Sequence, residues 1–132
     1  MDYTKTIELD LPFDEAVPAV KACFAAQGFG TLTEIDVQAT LETKLGKDIG
    51  PYLILGTCNP QLAHQAIGID PAIGALLPCN VVVRRHQGRT LVQALDPAIM
   101  AAVPGRDELE PIATEAARRV EAALHQLELD NP

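Results

Sequence analysis

Three times in this chain an Asn or Asp is followed directly by Pro, at Asn59-Pro60, Asp70-Pro71 and Asp96-Pro97. The first side chain can accept hydrogen bonds from the free amides of a helix's first turn, and Pro at the next position needs no amide partner and already holds a helical φ. Helix starts are therefore expected after Cys58, Ile69 and Leu95. Ahead of the first start, Tyr52 to Leu55 is apolar at every position, which fits a central strand covered on both faces. Ahead of the last, Val81 to Arg85 and Thr90 to Leu95 flank Gln87-Gly88, a hairpin signal. A two-residue turn there would pair Val83 with Val92. Val81, Val83, Val92 and Ala94 then share one face, while Val82, Leu91 and Leu95 lie on the other beside Arg84 and Gln93. Both faces are partly apolar, so helices are expected over one and a second subunit over the other, making a homodimer.

The remaining elements follow from periodicity. Thr4 to Leu11 alternates, with Lys5, Ile7, Leu9 and Leu11 on one side, and reads as a half-buried strand. From Phe13 the apolar positions move to helical spacing through Val17, Val20 and Phe24, and Gly28 stands where a helix closes in the left-handed conformation. Pro18 falls inside this helix and is expected to shift its start or kink it. Phe29 to Asp36 reads as a second strand, after which Asp36 caps a short helix carrying Val37, Leu41 and Leu45 and ending at Gly46. The last helix presents Leu109, Ile112, Ala116, Val120, Leu124 and Leu127 as a stripe. Its start has two readings, a capping box at Asp107 and Glu110, or a turn at Asp107 followed by a helix opening at Pro111. With 132 residues there is room for one domain. The expected fold is α+β, a single compact two-layer domain over residues 1–132, core about 3–128, with helices packed on a largely antiparallel sheet and only Asp130 to Pro132 loose.

Composition limits the partners. Eighteen acidic against ten basic residues leave a net charge of -8, which repels phosphate backbones and anionic lipid headgroups. Nucleic acid and membrane are not expected. The N-terminus lacks the basic start and apolar run of a secretory leader, and the stretch from Ile49 to Ile69 is interrupted by Gly50, Pro51, Asn59, Pro60 and His64, so a cytoplasmic location is expected. Three cysteines without CxxC spacing do not make a disulfide framework. No GxSxG, HExxH or GKS/T sequence occurs. Gly28-Phe29-Gly30 runs from helix to strand, the reverse of a phosphate-cradling loop, and reads as a turn. Arg84-Arg85-His86 with Arg89 surrounds the hairpin tip, where it could hold a small anion or serve solubility.

The residues best placed for chemistry lie at strand ends. Cys58 ends a buried strand one residue before the cap Asn59, where a helix dipole and free amides favour thiolate; the alternative is a small residue filling the corner. Cys79 opens the next strand in Leu77-Pro78-Cys79-Asn80. Antiparallel neighbours would bring Cys58 and Cys79 to one edge, and His64, early in the helix after Asn59, could join them as a soft-metal ligand or base. Their spacing matches no zinc pattern. Cys23 follows Val20 by three positions and reads as core packing. The candidate ligand-binding residues are Cys58, Asn59, His64, Cys79 and Asn80, with Cys58, His64 and Cys79 as candidate metal ligands. No catalytic set can be assembled among them.

Gly28-Phe29-Gly30, Leu32-Thr33-Glu34-Ile35-Asp36-Val37, Lys44-Leu45-Gly46, Ile54-Leu55-Gly56, Cys58-Asn59-Pro60, Ala63-His64 and Leu76-Leu77-Pro78-Cys79-Asn80-Val81-Val82-Val83 together resemble the domain-of-unknown-function 302 family. The resemblance covers most of the chain and implies a compact α+β domain, helices over a largely antiparallel sheet, usually dimeric. It implies no activity. The expected function is thus a small homodimeric binding module, not an enzyme, for an unidentified small ligand or a soft metal near Cys58, His64 and Cys79, with no cofactor identified. The alternatives are a thiol-dependent sulfur carrier or redox protein and a purely structural domain.

Overall fold

A computed structural model describes residues 2–132. The alternation at the start forms β1 (Thr4–Leu9), whose Ile7 and Leu9 face the core. After Pro12 the spacing changes and α1 (Phe13–Ala26) begins, burying Ala16, Val20 and Phe24. Pro18 lies within α1 without ending it. The helix closes at Gly28, which adopts a left-handed φ of 85°, and the amides of Gly28 and Phe29 donate to Ala25 and Phe24 carbonyls at 2.9 Å each, so the chain reverses tightly into β2 (Gly30–Asp36). Asp36 then caps α2 (Val37–Leu45), accepting from the Ala39 amide, and Gly46 ends it with a left-handed φ of 66°.

The three Asx-Pro dipeptides all cap, but what they open differs. Asn59, after β3 (Tyr52–Cys58), opens α3 (Pro60–Ile69). Asp70 opens a 3-10 helix, Pro71–Leu76, instead of an α-helix; Pro78 disfavours helical backbone at Leu77, so the segment stops there. Asp96 accepts from the Ala98 amide at 3.0 Å, and the α4 helix that follows (Ile99–Ala102) lasts one turn before Pro104 and the left-handed Gly105. A 3-10 turn at Asp107–Leu109 leads into α5 (Glu110–Asp130), with Pro111 in its first turn and no side-chain cap. The turn-then-helix reading of this start therefore holds. At the other end Asp130 still belongs to α5, and Asn131 donates its amide and its Nδ2 to the Leu127 carbonyl at 3.1 and 3.0 Å, so the helix extends into the segment expected to be loose.

Between these helices, β4 (Cys79–His86) and β5 (Arg89–Leu95) form the hairpin. Gln87 and Gly88 both take positive φ, 51° and 77°, the type I′ geometry that matches strand twist, and Val83 pairs with Val92. The sheet runs β1-β5-β4-β3-β2, antiparallel throughout. Helices α1 and α5 cover one face, where Val81, Val83 and Val92 are fully buried. The opposite face carries a polar chain across three strands, Arg84 to Gln93 at 2.8 Å and Gln93 to Thr6 at 3.3 Å, flanked by half-buried Val82, Ile54 and Leu95. Strand β2 is an edge and exposes Leu32 by 66% and Ile35 by 50%. A smaller apolar cluster of Ala66, Ile73, Met100, Leu109 and Ala113 lies apart from the main core. Among the described residues no helix is long and apolar enough to cross a membrane.

Candidate functional site

Strand β3 delivers Cys58 and Asn59 to the end of the sheet at which β4 enters, because the two strands are antiparallel and Thr57 pairs with Cys79. The Thr57 hydroxyl, itself buried, donates to the Cys79 carbonyl at 2.8 Å and ties the two strand ends together. Asn59 is only 6% exposed and accepts from the Leu62 amide at 3.1 Å, fixing the direction in which α3 leaves. Where α3 and α5 meet this end of the sheet they enclose a cavity of about 40 Å³. Phe29, Leu62, Ala66, Ile112, Ala113 and Ala116 supply apolar wall, and Thr57, Cys58, Asn59 and Cys79 also line it. Both strand-end cysteines thus border one space, and all three cysteines of the chain are free thiols. Burial, and secondarily the nearby Cys58, pushes the Cys79 thiol up to about 11, so at neutral pH it is an uncharged thiol. Cys23 packs against the main core, and burial raises its pKa as well.

Two candidates fall elsewhere. His64 is exposed and does not line the cavity: Leu62, Ala63 and Ala66 turn α3 toward the space, and His64, one residue past Ala63, is rotated about 100° from it. Asn80 is exposed and pairs with Gly56; strand alternation puts it on the sheet face opposite Cys79. The Cys58, His64 and Cys79 trio is therefore not assembled, and among the described residues no three His, Cys, Asp or Glu side chains group as a metal site. The basic cluster at the hairpin tip is largely structural. Arg85 donates to Thr90, Gly88 and Leu11, and Arg84 donates to Gln93.

The meeting of Gly28, Asn59 and Arg119 near the cavity carried no local signal in the sequence. Gly28 approaches Asn59 and Arg119 so closely that a Cβ there would lie 2.8 Å from Asn59 Nδ2 and 3.2 Å from Arg119 Nη1. Arg119 in turn donates its Nε to Glu115 at 2.8 Å, and Arg118 grips the same carboxylate through Nε and Nη2 at 3.0 and 2.6 Å. These two guanidiniums hold Glu115 down at about 2. Arg119 lies outside the apolar stripe of its helix, and its neighbours at Gly28 and Asn59 come from distant parts of the chain.

Fold and site together define a two-layer α+β domain with a small apolar cavity between one end of an antiparallel sheet and two helices. The chain belongs to the family described as Domain of unknown function DUF302, whose model matches residues 3–127. A solved structure described as an uncharacterized conserved protein DUF302 from Bacillus stearothermophilus superimposes with a TM-score of 0.89 at 26% sequence identity, over 96% of this chain and 99% of that one. No curated protein matches this chain.

Proposed function

We propose that this domain is a homodimeric binding module that holds a small, largely apolar ligand in the cavity between β3, α3 and α5 without turning it over. The observation that carries this reading is the cavity itself: apolar side chains wall most of it, while its polar lining is confined to Thr57, Asn59 and two thiols. Thr57 has its hydroxyl hydrogen committed to the Cys79 carbonyl, and Cys79, at about 11, is a poor nucleophile at neutral pH. A thiol carrier would have to work through Cys58 alone, which makes binding the better-supported function.

Small apolar cavities admit xenon, so xenon is the probe. Titration followed by 129Xe NMR is expected to give a saturable shift with the wild-type protein. Ala113→Leu, which places extra carbons in the cavity, should abolish that shift while far-UV circular dichroism stays unchanged. A wild-type protein with no saturable response, or a filled variant that still gives one, would count against the cavity as the binding site.

A further inference from the structure

Asn59, which lines the apolar cavity, forms a polar corner with Gly28 and Arg119 beside it, and the chemistry of this corner is one-sided. Asn59 turns its Oδ1 to the Leu62 amide, which leaves Nδ2 facing Gly28. No acceptor meets Nδ2 among the described residues, although Asn59 is only 6% exposed. Since no fully enclosed side-chain nitrogen or oxygen among the described residues lacks a partner, this Nδ2 keeps some accessible surface. Arg119 Nη1 borders the same point above the Gly28 Cα. Two donors converge, and the glycine leaves between them room that any other residue would fill.

Charge points the same way. Glu115 is a single carboxylate shared by Arg118 and Arg119, so one of the two positive charges is left over. Leu62 and Ile112 line both the apolar cavity and the groove outside it that holds Arg119, Glu115, Gln61 and Gln65. Asn59 thus lines the apolar cavity and Arg119 the groove beside it, and the two side chains meet at Gly28.

We infer that the ligand is a short-chain monocarboxylate whose carboxylate bridges Asn59 Nδ2 and Arg119 Nη1 beside Gly28 and whose hydrocarbon tail fills the cavity. The inference rests on the binding reading above and adds the class of ligand. A cavity of about 40 Å³ admits roughly three water-sized groups at ~10–15 Å³ each, which corresponds to a tail of about three carbons. The carboxylate supplies the acceptors that the corner lacks, and charge-assisted bonds to it exceed neutral ones in strength.

Calorimetric titration at neutral pH separates the parts, using butyrate, 1-butanol as the tail without the charge, and acetate as the charge without the tail. Butyrate is expected to bind about tenfold or more tighter than either. Asn59→Asp keeps a capping oxygen for α3 but replaces the donor by an anionic oxygen, and Arg119→Gln removes the charge while Arg118 still holds Glu115. Each should weaken butyrate about tenfold or more and leave 1-butanol unchanged, with folding checked by circular dichroism; should Asn59→Asp not fold, Arg119→Gln carries the comparison. Equal binding of 1-butanol and butyrate overturns the carboxylate inference and leaves the cavity reading standing, whereas equal binding of acetate and butyrate shows that the tail does not enter the cavity and overturns the inference. Failure of both butyrate and 1-butanol to bind the folded wild-type protein overturns both.

Discussion

Cys58 and Cys79 stand on neighbouring strands at the same end of the sheet and border the same cavity, yet they are not equivalent thiols. Cys79 is held as a neutral thiol by burial, with its pKa pushed up to about 11. Alkylation proceeds through the thiolate, so Cys79 is expected to label more slowly than Cys58 at pH 7.5. Its rate should climb about tenfold per pH unit toward pH 11, because the thiolate fraction of a group far below its pKa rises in that proportion. Peptide mapping after brief exposure to iodoacetamide at several pH values measures this. A Cys79 rate that is flat with pH, or equal to that of Cys58 at pH 7.5, would show that burial does not control it. That both cysteines lie at the same end of the sheet was legible in the sequence, because strand polarity alone decides which ends adjoin. His64 departs from the expected site for an equally simple reason: Leu62, Ala63 and Ala66 fix the rotation of α3 and turn His64 to the exposed side.

Among the elements, helix starts show what a local pattern can and cannot specify. Asn59 makes its capping bond to Leu62, whereas Asp107 makes none to the helix that follows it. Asn59→Ala is therefore expected to lower stability by about 1–2 kcal/mol, and Asp107→Ala to stay within about 0.5 kcal/mol of wild type, both read from urea unfolding. A comparable loss in the two variants would mean that Asp107 caps α5 in solution. Caps were legible because the groups that satisfy them lie within three residues of each other. How far each segment continues was not, since Asp70 and Asp96 open short pieces that later residues stop: Pro78 in one case, Pro104 and Gly105 in the other. The hairpin register was legible for the same reason as the caps, the turn at Gln87-Gly88 being next to the pairs it sets. The corner formed by Gly28, Asn59 and Arg119 joins α1, α3 and α5, and no window of sequence contains it.

For the whole molecule, α1 and α5 cover one sheet face and the other carries half-buried Val82, Ile54 and Leu95, and this supports the proposed dimer. Ile35 projects from the edge strand on the same face as Ile54 and Val82, with which it is aligned through β3, and it is half exposed. Sedimentation at tens of micromolar is expected to show a dimer, since a standard-size interface is normally occupied at about that concentration. Ile35→Arg should shift the protein toward monomer with its circular dichroism intact; a wild-type monomer under these conditions would remove the second subunit from the proposed function. The strand order has a further consequence for how the molecule is made. Thr4 pairs with Leu95 and Leu9 with Thr90, so β1 leaves the ribosome well before β5, its neighbour in the sheet. Until the chain has grown past Leu95, β1 has no ladder to join, and closing so long a loop is entropically costly. During that interval the apolar side of β1, Ile7 and Leu9, and the face of α1 that will meet α5 stay uncovered and open to chaperones and proteases.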